Sequence, residues 1–179
     1  MHRLFVAIRP PASIRDLLID SMDENADLRW QNDEQLHLTL RFIGEIETPL
    51  ANDLADALGR IRFDRFKLRI SGAGCFEQRL SGALWAGVEP RDVVAALAAK
   101  VERTCQQVGL VPERRAFHPH ITLARWKGRR GREVQGFLER EQGLSSGPFD
   151  VDEFILFESR LSRHGAHYEE VANFPLNLP

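Results

Sequence analysis

Residues 36–43, LHLTLRFI, alternate: Leu36, Leu38, Leu40 and Phe42 fall on one face of an extended segment, and His37, Thr39 and Arg41 fall on the other. That pattern predicts a half-buried strand with a polar face. Residues 120–126, HITLARW, repeat it, with Ile121 and Leu123 alternating against His120, Thr122 and Ala124. The tetrapeptides His37-Leu38-Thr39-Leu40 and His120-Ile121-Thr122-Leu123 lie 83 residues apart, and two of the chain's four threonines are used in them. An internal repeat of this kind predicts two related halves that each present the same strand.

Working outward, residues 3–8 (RLFVAI) read as a strand stopped by Pro10 and Pro11, after which Ser13 is placed to cap a helix carrying Ile14, Leu17, Leu18 and Met22. Residues 50–61 give a second helix, with Leu54, Ala57, Leu58 and Ile61 on one side. Residues 66–70 and 83–88 read as strands joined through a glycine-bearing loop. Residues 91–108 form the clearest helix, because Val94, Leu97, Ala98, Val101 and Cys105 make one stripe and Gly109 closes it. A helix over 132–141 and strands over 149–157 and 167–172 complete the chain. No low-complexity segment or composition break interrupts it, so residues 1–179 are expected to be one domain.

The balance of the composition narrows the function classes. With 179 residues, 43% of them apolar, the chain can bury an ordinary core but not that of a large multidomain machine. Its 24 basic and 26 acidic residues give a net charge of −2, so any nucleic-acid contact must be local. The apolar run at the start ends at Pro10, too short for a signal peptide or for a membrane span of roughly 20 residues, and a soluble, cytoplasmic protein is expected. Cys75 and Cys105 have no CxxC spacing and read as buried, reduced thiols.

On a strand, residues i and i+2 share a face, so each motif projects an imidazole and a hydroxyl side by side. Two such strands facing each other make a four-point cradle. A histidine with a pKa near its ordinary value of about 6.5 can act as base or acid, so a pair can take a proton on one side of a phosphorus centre and deliver one on the other. Threonine hydroxyls donate to non-bridging oxygens, and an arginine offsets the charge that builds in the transition state. Between Arg114 and Arg132 the chain carries seven basic residues and no acidic one, and the window encloses the second motif. Arg125 is the member nearest the motif and the candidate phosphate ligand, with Trp126 available to stack on a base. Arg129, Arg130 and Arg132 fit a binding surface and a solvated loop equally well.

The segments HLTLRFIGE at 37–45 and FHPHITLAR at 117–125 resemble the paired signatures of the RNA 2′,3′-cyclic phosphodiesterases, also called 2′-5′ RNA ligases, of the two-histidine phosphoesterase superfamily. RLFVAI at 3–8, LWAGV at 84–88 and the closing pattern Leu156, Ser159, Leu161, Gly165, Tyr168 extend the resemblance over nearly the whole chain. It implies a bilobal α+β fold of two pseudo-twofold-related lobes, each an antiparallel sheet backed by helices, with the active site in a central cleft. It also implies hydrolysis of a terminal 2′,3′-cyclic phosphate on RNA to a 2′-phosphomonoester, and in some members 2′-5′ joining or cleavage. On this resemblance His37 is the proton donor to the departing 3′ oxygen, His120 is the acceptor that activates water, and Thr39 and Thr122 hold the phosphate, without metal or cofactor. The residues themselves leave open which histidine is the acid.

Two rival readings stand beside this one. A metal site could be built from His118 and His120 with His164 or His167, although no HExxH helix or carboxylate cluster completes it; His118, followed by Pro119, otherwise reads as a strand-entry residue that orients the second motif. A non-catalytic RNA-end binding module would keep the cradle without turnover, but binding alone calls for permanent cations rather than two titrating groups. Phe76 and Tyr168 are candidates both for the cleft and for packing. A monomer with no membrane attachment is expected.

Overall fold

The computed structural model of the chain describes residues 1–24 and 27–178. In order, it contains β1 (His2–Ile8), α1 (Ala12–Ser21), β2 (Arg29–Trp30), a 3-10 turn (Asp33–Gln35), β3 (Leu38–Ile46), α2 (Thr48–Leu58), β4 (Phe66–Gln78), β5 (Ser81–Glu89), α3 (Arg91–Gln107), β6 (His120–Lys127), α4 (Arg132–Arg140), β7 (Phe149–Val151), β8 (Glu153–Ser162) and β9 (Gly165–Pro175). The nine strands form an antiparallel sheet in the order β7-β4-β5-β6-β3-β1-β8-β9, with β2 attached to β6. Each motif strand is thus the innermost of four.

The two halves meet where β3 touches β6, and the junction is a single pair, Leu38 with Ile121. These are the residues that follow His37 and His120, so the sheet's approximate twofold relates the two histidines. Beyond that pair the strands part, and Arg29 and Trp30 of β2 take the released edge of β6 opposite Arg125 and Ala124. The parting opens a cleft on the histidine face.

The opposite face carries the main core. Along β1, Leu4, Val6 and Ile8 enter a cluster shared with Leu18 of α1, Leu54 and Leu58 of α2, Val94, Leu97 and Val101 of α3, and Phe137 of α4. That cluster is continuous across both halves. The intervening Phe5 and Ala7 point the other way, into a small second cluster with Ile155 and Phe157, against which Tyr168 packs. Fully burying aromatic rings of this size contributes on the order of 2 kcal/mol each, so the cleft has an apolar floor on its β1-β8-β9 side.

Local details differ from the sequence reading. Ser13 does not cap α1; Pro11 occupies the cap, and its carbonyl accepts from the amides of Ile14 and Arg15, both at 3.0 Å. Proline, with φ fixed and no amide to satisfy, lets the helix begin one residue later. The glycine-bearing loop after residue 70 is strand: β4 runs on through it to Gln78, with a register break between Ile70 and Ala73 where Gly72 takes φ +77°. Gly74 is required there because the Trp85 indole occupies the space a Cβ would need. The strand expected over 149–157 is divided into β7 and β8, and β8 and β9 form a long hairpin turning at Arg163 and His164. Among the described residues no helix is long and apolar enough to cross a membrane. Cys75 is half-buried, Cys105 is buried, and both are free thiols.

Candidate active site

Each motif strand departs from simple alternation at the same place. On β3, Val6 pairs with Arg41 but Ala7 pairs with Thr39, leaving Leu40 as an extra residue. On β6, Leu84 pairs with Ala124 but Trp85 pairs with Thr122, leaving Leu123 extra. A bulge reverses the side of every residue that follows it. Leu40 and Arg41 are therefore buried in succession, as are Leu123 and Ala124, while Phe42 and Arg125 turn onto the histidine face and are exposed.

The consequence for the predicted residues is mixed. Arg125 reaches the cleft because of the bulge, whereas alternation alone would aim it into the core. Arg41, expected beside His37 and Thr39, is buried towards α3, where its guanidinium pairs with Glu102 and donates to the Val111 carbonyl at 2.6 Å, and from there it lines the same cavity as Thr39 and Arg125. Trp126 is not available to a base: it is 5% exposed and packs in the main core over Gly82.

The histidines are held alike. His37 Nδ1 donates to the Gln35 carbonyl at 2.7 Å, and His120 Nδ1 donates to the His118 carbonyl at 2.6 Å. A carbonyl can only accept, so both Nδ1 atoms carry a hydrogen and both Nε2 atoms carry the lone pair of the neutral ring. His37 Nε2 accepts from the Thr39 hydroxyl at 3.0 Å.

Their surroundings are unlike. His37 is packed by Phe5 at 4.8 Å between ring centroids, Tyr168 at 5.3 Å and a right angle, and Phe157 at 6.5 Å. This burial pushes its pKa down to about 4, the bond to the Gln35 carbonyl opposing and the charge of Arg125 assisting. His120 meets Phe76 edge-on at 4.8 Å and Trp85 at 6.4 Å. Burial, again with help from Arg125, holds its pKa below the ordinary histidine value.

A cavity of about 610 Å³ opens along this face, and Thr39, His120 and Arg125 stand in its wall together with Phe42, Phe76 and His118. His37 and Thr122 are not among its wall residues. His37 reaches the cavity through its bond to Thr39, and Thr122 lies half-buried two residues beyond His120 in β6.

Of the remaining basic run, Arg115 is paired with Glu113 at 2.9 Å, and Arg130 is bonded to Gln135 and lies 3.6 Å from Glu77. Arg130 is thus tied to its own neighbours, whereas Arg115 stays 79% exposed and stands in the wall of the same cavity as His120 and Arg125. His164 sits in the β8–β9 turn and His167 lies 3.7 Å from Glu34, so neither joins His118 and His120. The described residues contain no group of three or more His, Cys, Asp or Glu that could hold a metal ion.

Gln35 escapes a sequence reading. Its amide accompanies a reciprocal cap with Asn32, its Nε2 donates to the Ala166 carbonyl of β9 at 2.8 Å, and its own carbonyl fixes His37. Tyr168, undecided from sequence, covers His37. Position −2 before the first His was the available signal, because on a strand end that carbonyl is within reach of an imidazole.

Comparison with known proteins places these features in a family. A family model described as the 2′-5′ RNA ligase superfamily matches residues 10–163. An RNA 2′,3′-cyclic phosphodiesterase of Aeropyrum pernix is 38% identical over 145 residues, 79% of this chain and 82% of the relative. The protein of the same name from Escherichia coli is 29% identical over 98% of this chain and 97% of its own length. The crystal structure of Escherichia coli LigT complexed with 3′-AMP superposes with a TM-score of 0.82 at 28% identity, covering 98% of each chain.

Proposed function

Because the chain belongs to the 2′-5′ RNA ligase superfamily and is a hydrolase, we propose that it hydrolyses the 2′,3′-cyclic phosphate at an RNA end to a 2′-phosphomonoester by metal-independent acid–base catalysis between His37 and His120. The relatives named above, called RNA 2′,3′-cyclic phosphodiesterases, support the reaction. The observation that carries the two-histidine chemistry is the matched pair of Nδ1 bonds to the carbonyls two residues back. Each bond fixes one tautomer and leaves Nε2 as the working atom.

In the proposed reaction His120 Nε2 takes a proton from water as the water oxygen bonds to phosphorus. The bond from phosphorus to O3′ breaks, and O3′ takes its proton from His37 Nε2, leaving the phosphate on O2′. Thr39 and Thr122 donate to the non-bridging oxygens, and Arg125 offsets the added negative charge. For His37 to be the donor it must first be protonated, and the phosphate anion supplies the field that favours this. The product test is direct: an oligoribonucleotide ending in a cyclic phosphate should give a 2′-phosphate, whereas a 3′-phosphate contradicts the assignment of O3′ as leaving group.

A second reading exchanges the roles, with His120 as acid and His37 as base. The aromatic packing around His37 favours it, because burial opposes the charged imidazolium a donor requires. A substrate with sulfur at the 3′-bridging position separates the two, since a thiolate departs without a proton. Rescue of His37→Ala by that substrate supports His37 as donor; rescue of His120→Ala supports the exchange.

A further inference from the structure

Residues 60–67, RIRFDRFK, hold four cations and one acid, with Phe63 and Phe66 set between the cations. They follow α2 and lie against α3, where Lys100 Nζ donates to the Arg62 carbonyl at 2.5 Å and sits 5.5 Å over the Phe63 ring. Two cavities meet at Lys100. One, of about 270 Å³, is walled by Arg60, Arg103, Thr104 and Gln107 as well, and its wall contains no carboxylate. The other, of about 480 Å³, has Arg62, Arg65, Phe63 and Phe66 in its wall, with Asp64 as its one acid.

These cations have little to balance them. Arg60 and Arg103 are exposed and, among the described residues, form no ion pair. Arg62 donates to the carbonyls of Gly59 and Ile61, both at 3.3 Å, and Arg65 lies 4.0 Å from Asp152. Three like charges around one cavity repel one another, and an anion that enters relieves the repulsion. The chain as a whole carries a net charge of −2, so this concentration is local.

Helix α3 joins the basic surface to the active site. Its Ala95, Ala99 and Glu102 stand in the wall of the cleft, and its Lys100, Arg103 and Gln107 in the wall of the basic cavity. The ridge between them carries Ala96 and Ala99, both exposed and uncharged. Crossing a helix of roughly 10–12 Å diameter takes about three nucleotides at about 3.4 Å each. We propose that the α2–α3 junction binds the phosphodiester backbone of the RNA a few nucleotides before its cyclic end, so that the substrate class is an RNA strand rather than a cyclic mononucleotide. This inference rests on the reading given under Proposed function. Cations interleaved with rings bind single strands without reading their sequence. An acidic peptide would use only the cations, whereas a strand also uses the two rings in the second cavity's wall.

The test uses the double variant Arg60→Ala/Arg103→Ala, with Arg60→Lys/Arg103→Lys as the control that keeps the charge. Binding of a fluorescent dodecaribonucleotide ending in a 2′-phosphate is followed by anisotropy, and hydrolysis is measured on dodecamer and dinucleotide cyclic phosphates. Removing two phosphate contacts should weaken dodecamer binding about tenfold and make the slope of log Kd against log salt shallower by about 1.4, at about 0.7 per contact on a single strand. KM for the dodecamer should rise in step with kcat unchanged, while the dinucleotide, too short to reach the surface, should stay within about twofold of wild type. The lysine pair should bind as wild type does, because a phosphate can be held by a point charge. An unchanged salt slope, or an equal loss on dodecamer and dinucleotide, overturns the proposal. Displacement of the dodecamer by polyglutamate as readily as by unlabelled RNA also overturns it and assigns the surface to an acidic protein segment. Anisotropy decides the matter even if the wild type hydrolyses neither substrate, an outcome that removes the hydrolase reading itself.

Discussion

Phe42 and Arg125 occupy the same place in the two repeats, each five residues after its histidine and each turned onto the cleft face by a bulge at Leu40 or Leu123. One half of an otherwise twofold site therefore presents an apolar ring and the other a cation. The charge lies on the side of His120 but depresses the pKa of both imidazoles.

In the proposed reaction Arg125, which stands in the cavity wall, meets the charge gained at phosphorus. Arg125→Ala should lower kcat/KM by roughly 10²- to 10³-fold, the range seen when one transition-state donor is removed. Its absence should also raise both histidine pKa values, moving the alkaline limb of the pH profile upward. Steady-state rates across pH check both effects, and a lower rate with an unmoved limb would place Arg125 outside the site's field.

The pH dependence of the free enzyme follows from the two depressed imidazoles. The proposed reaction needs one ring charged and the other neutral, yet His37 is held at about 4 and His120 below its ordinary value. Above the higher of these values the singly protonated form declines about tenfold per pH unit. The kcat/KM profile should therefore peak below pH 6.5, with kcat peaking at higher pH because the bound phosphate anion favours protonation. A kcat/KM optimum above pH 7.5 would contradict this.

Tyr168 covers His37 edge-on at 5.3 Å between ring centroids. Tyr168→Ala should admit water to the ring and raise the His37 pKa towards 6.5, whereas Tyr168→Phe should leave it within a few tenths, since it is the ring that packs. Imidazole chemical shifts followed through a pH titration measure this. An equal change in both variants would assign the effect to the hydroxyl.

The same packing links pH to stability. A histidine whose folded pKa lies below its unfolded value of about 6.5 favours the folded state when neutral, so the contribution is complete above pH 6.5 and is lost as the pH falls towards 4. For His37 alone the loss is at most on the order of 3 kcal/mol. Urea unfolding between pH 7 and pH 4 should show a smaller loss in His37→Asn than in the wild type. Parallel curves would mean that His37 is not desolvated in the folded protein.

Gln35 acts on His37 through its carbonyl, while its side chain ties that carbonyl to β9 through Ala166. Gln35→Ala should reduce kcat about tenfold with little change in KM, because the proposed phosphate ligands Thr39, Thr122 and Arg125 stay in place. A change confined to thermal stability would make Gln35 structural only.

The paired histidine motifs, the strand and helix order, and the long apolar stripe of α3 were legible because each rests on a local period of two or 3.6 residues. The bulges at Leu40 and Leu123 were not, since a bulge is set by pairing with strands distant in sequence; alternation consequently put Arg41 on the wrong face and left Trp126 free. The segment from Gly72 to Phe76 looked like a loop because glycine usually marks one, yet Gly74 serves the close approach of Trp85. The hydrogen bond from Gln35 to Ala166 and the ring of Tyr168 over His37 join residues more than 130 positions apart, and no periodicity encodes them.

The central claim is most directly tested by hydrolysis of an oligoribonucleotide 2′,3′-cyclic phosphate in the presence of EDTA, with wild type, His37→Ala and His120→Ala compared side by side. The account predicts turnover by the wild type, loss of most of the rate in each variant, and substrate affinity within a few fold of wild type in both. Turnover that survives in either variant, or that vanishes in EDTA and returns with a divalent ion, would contradict it.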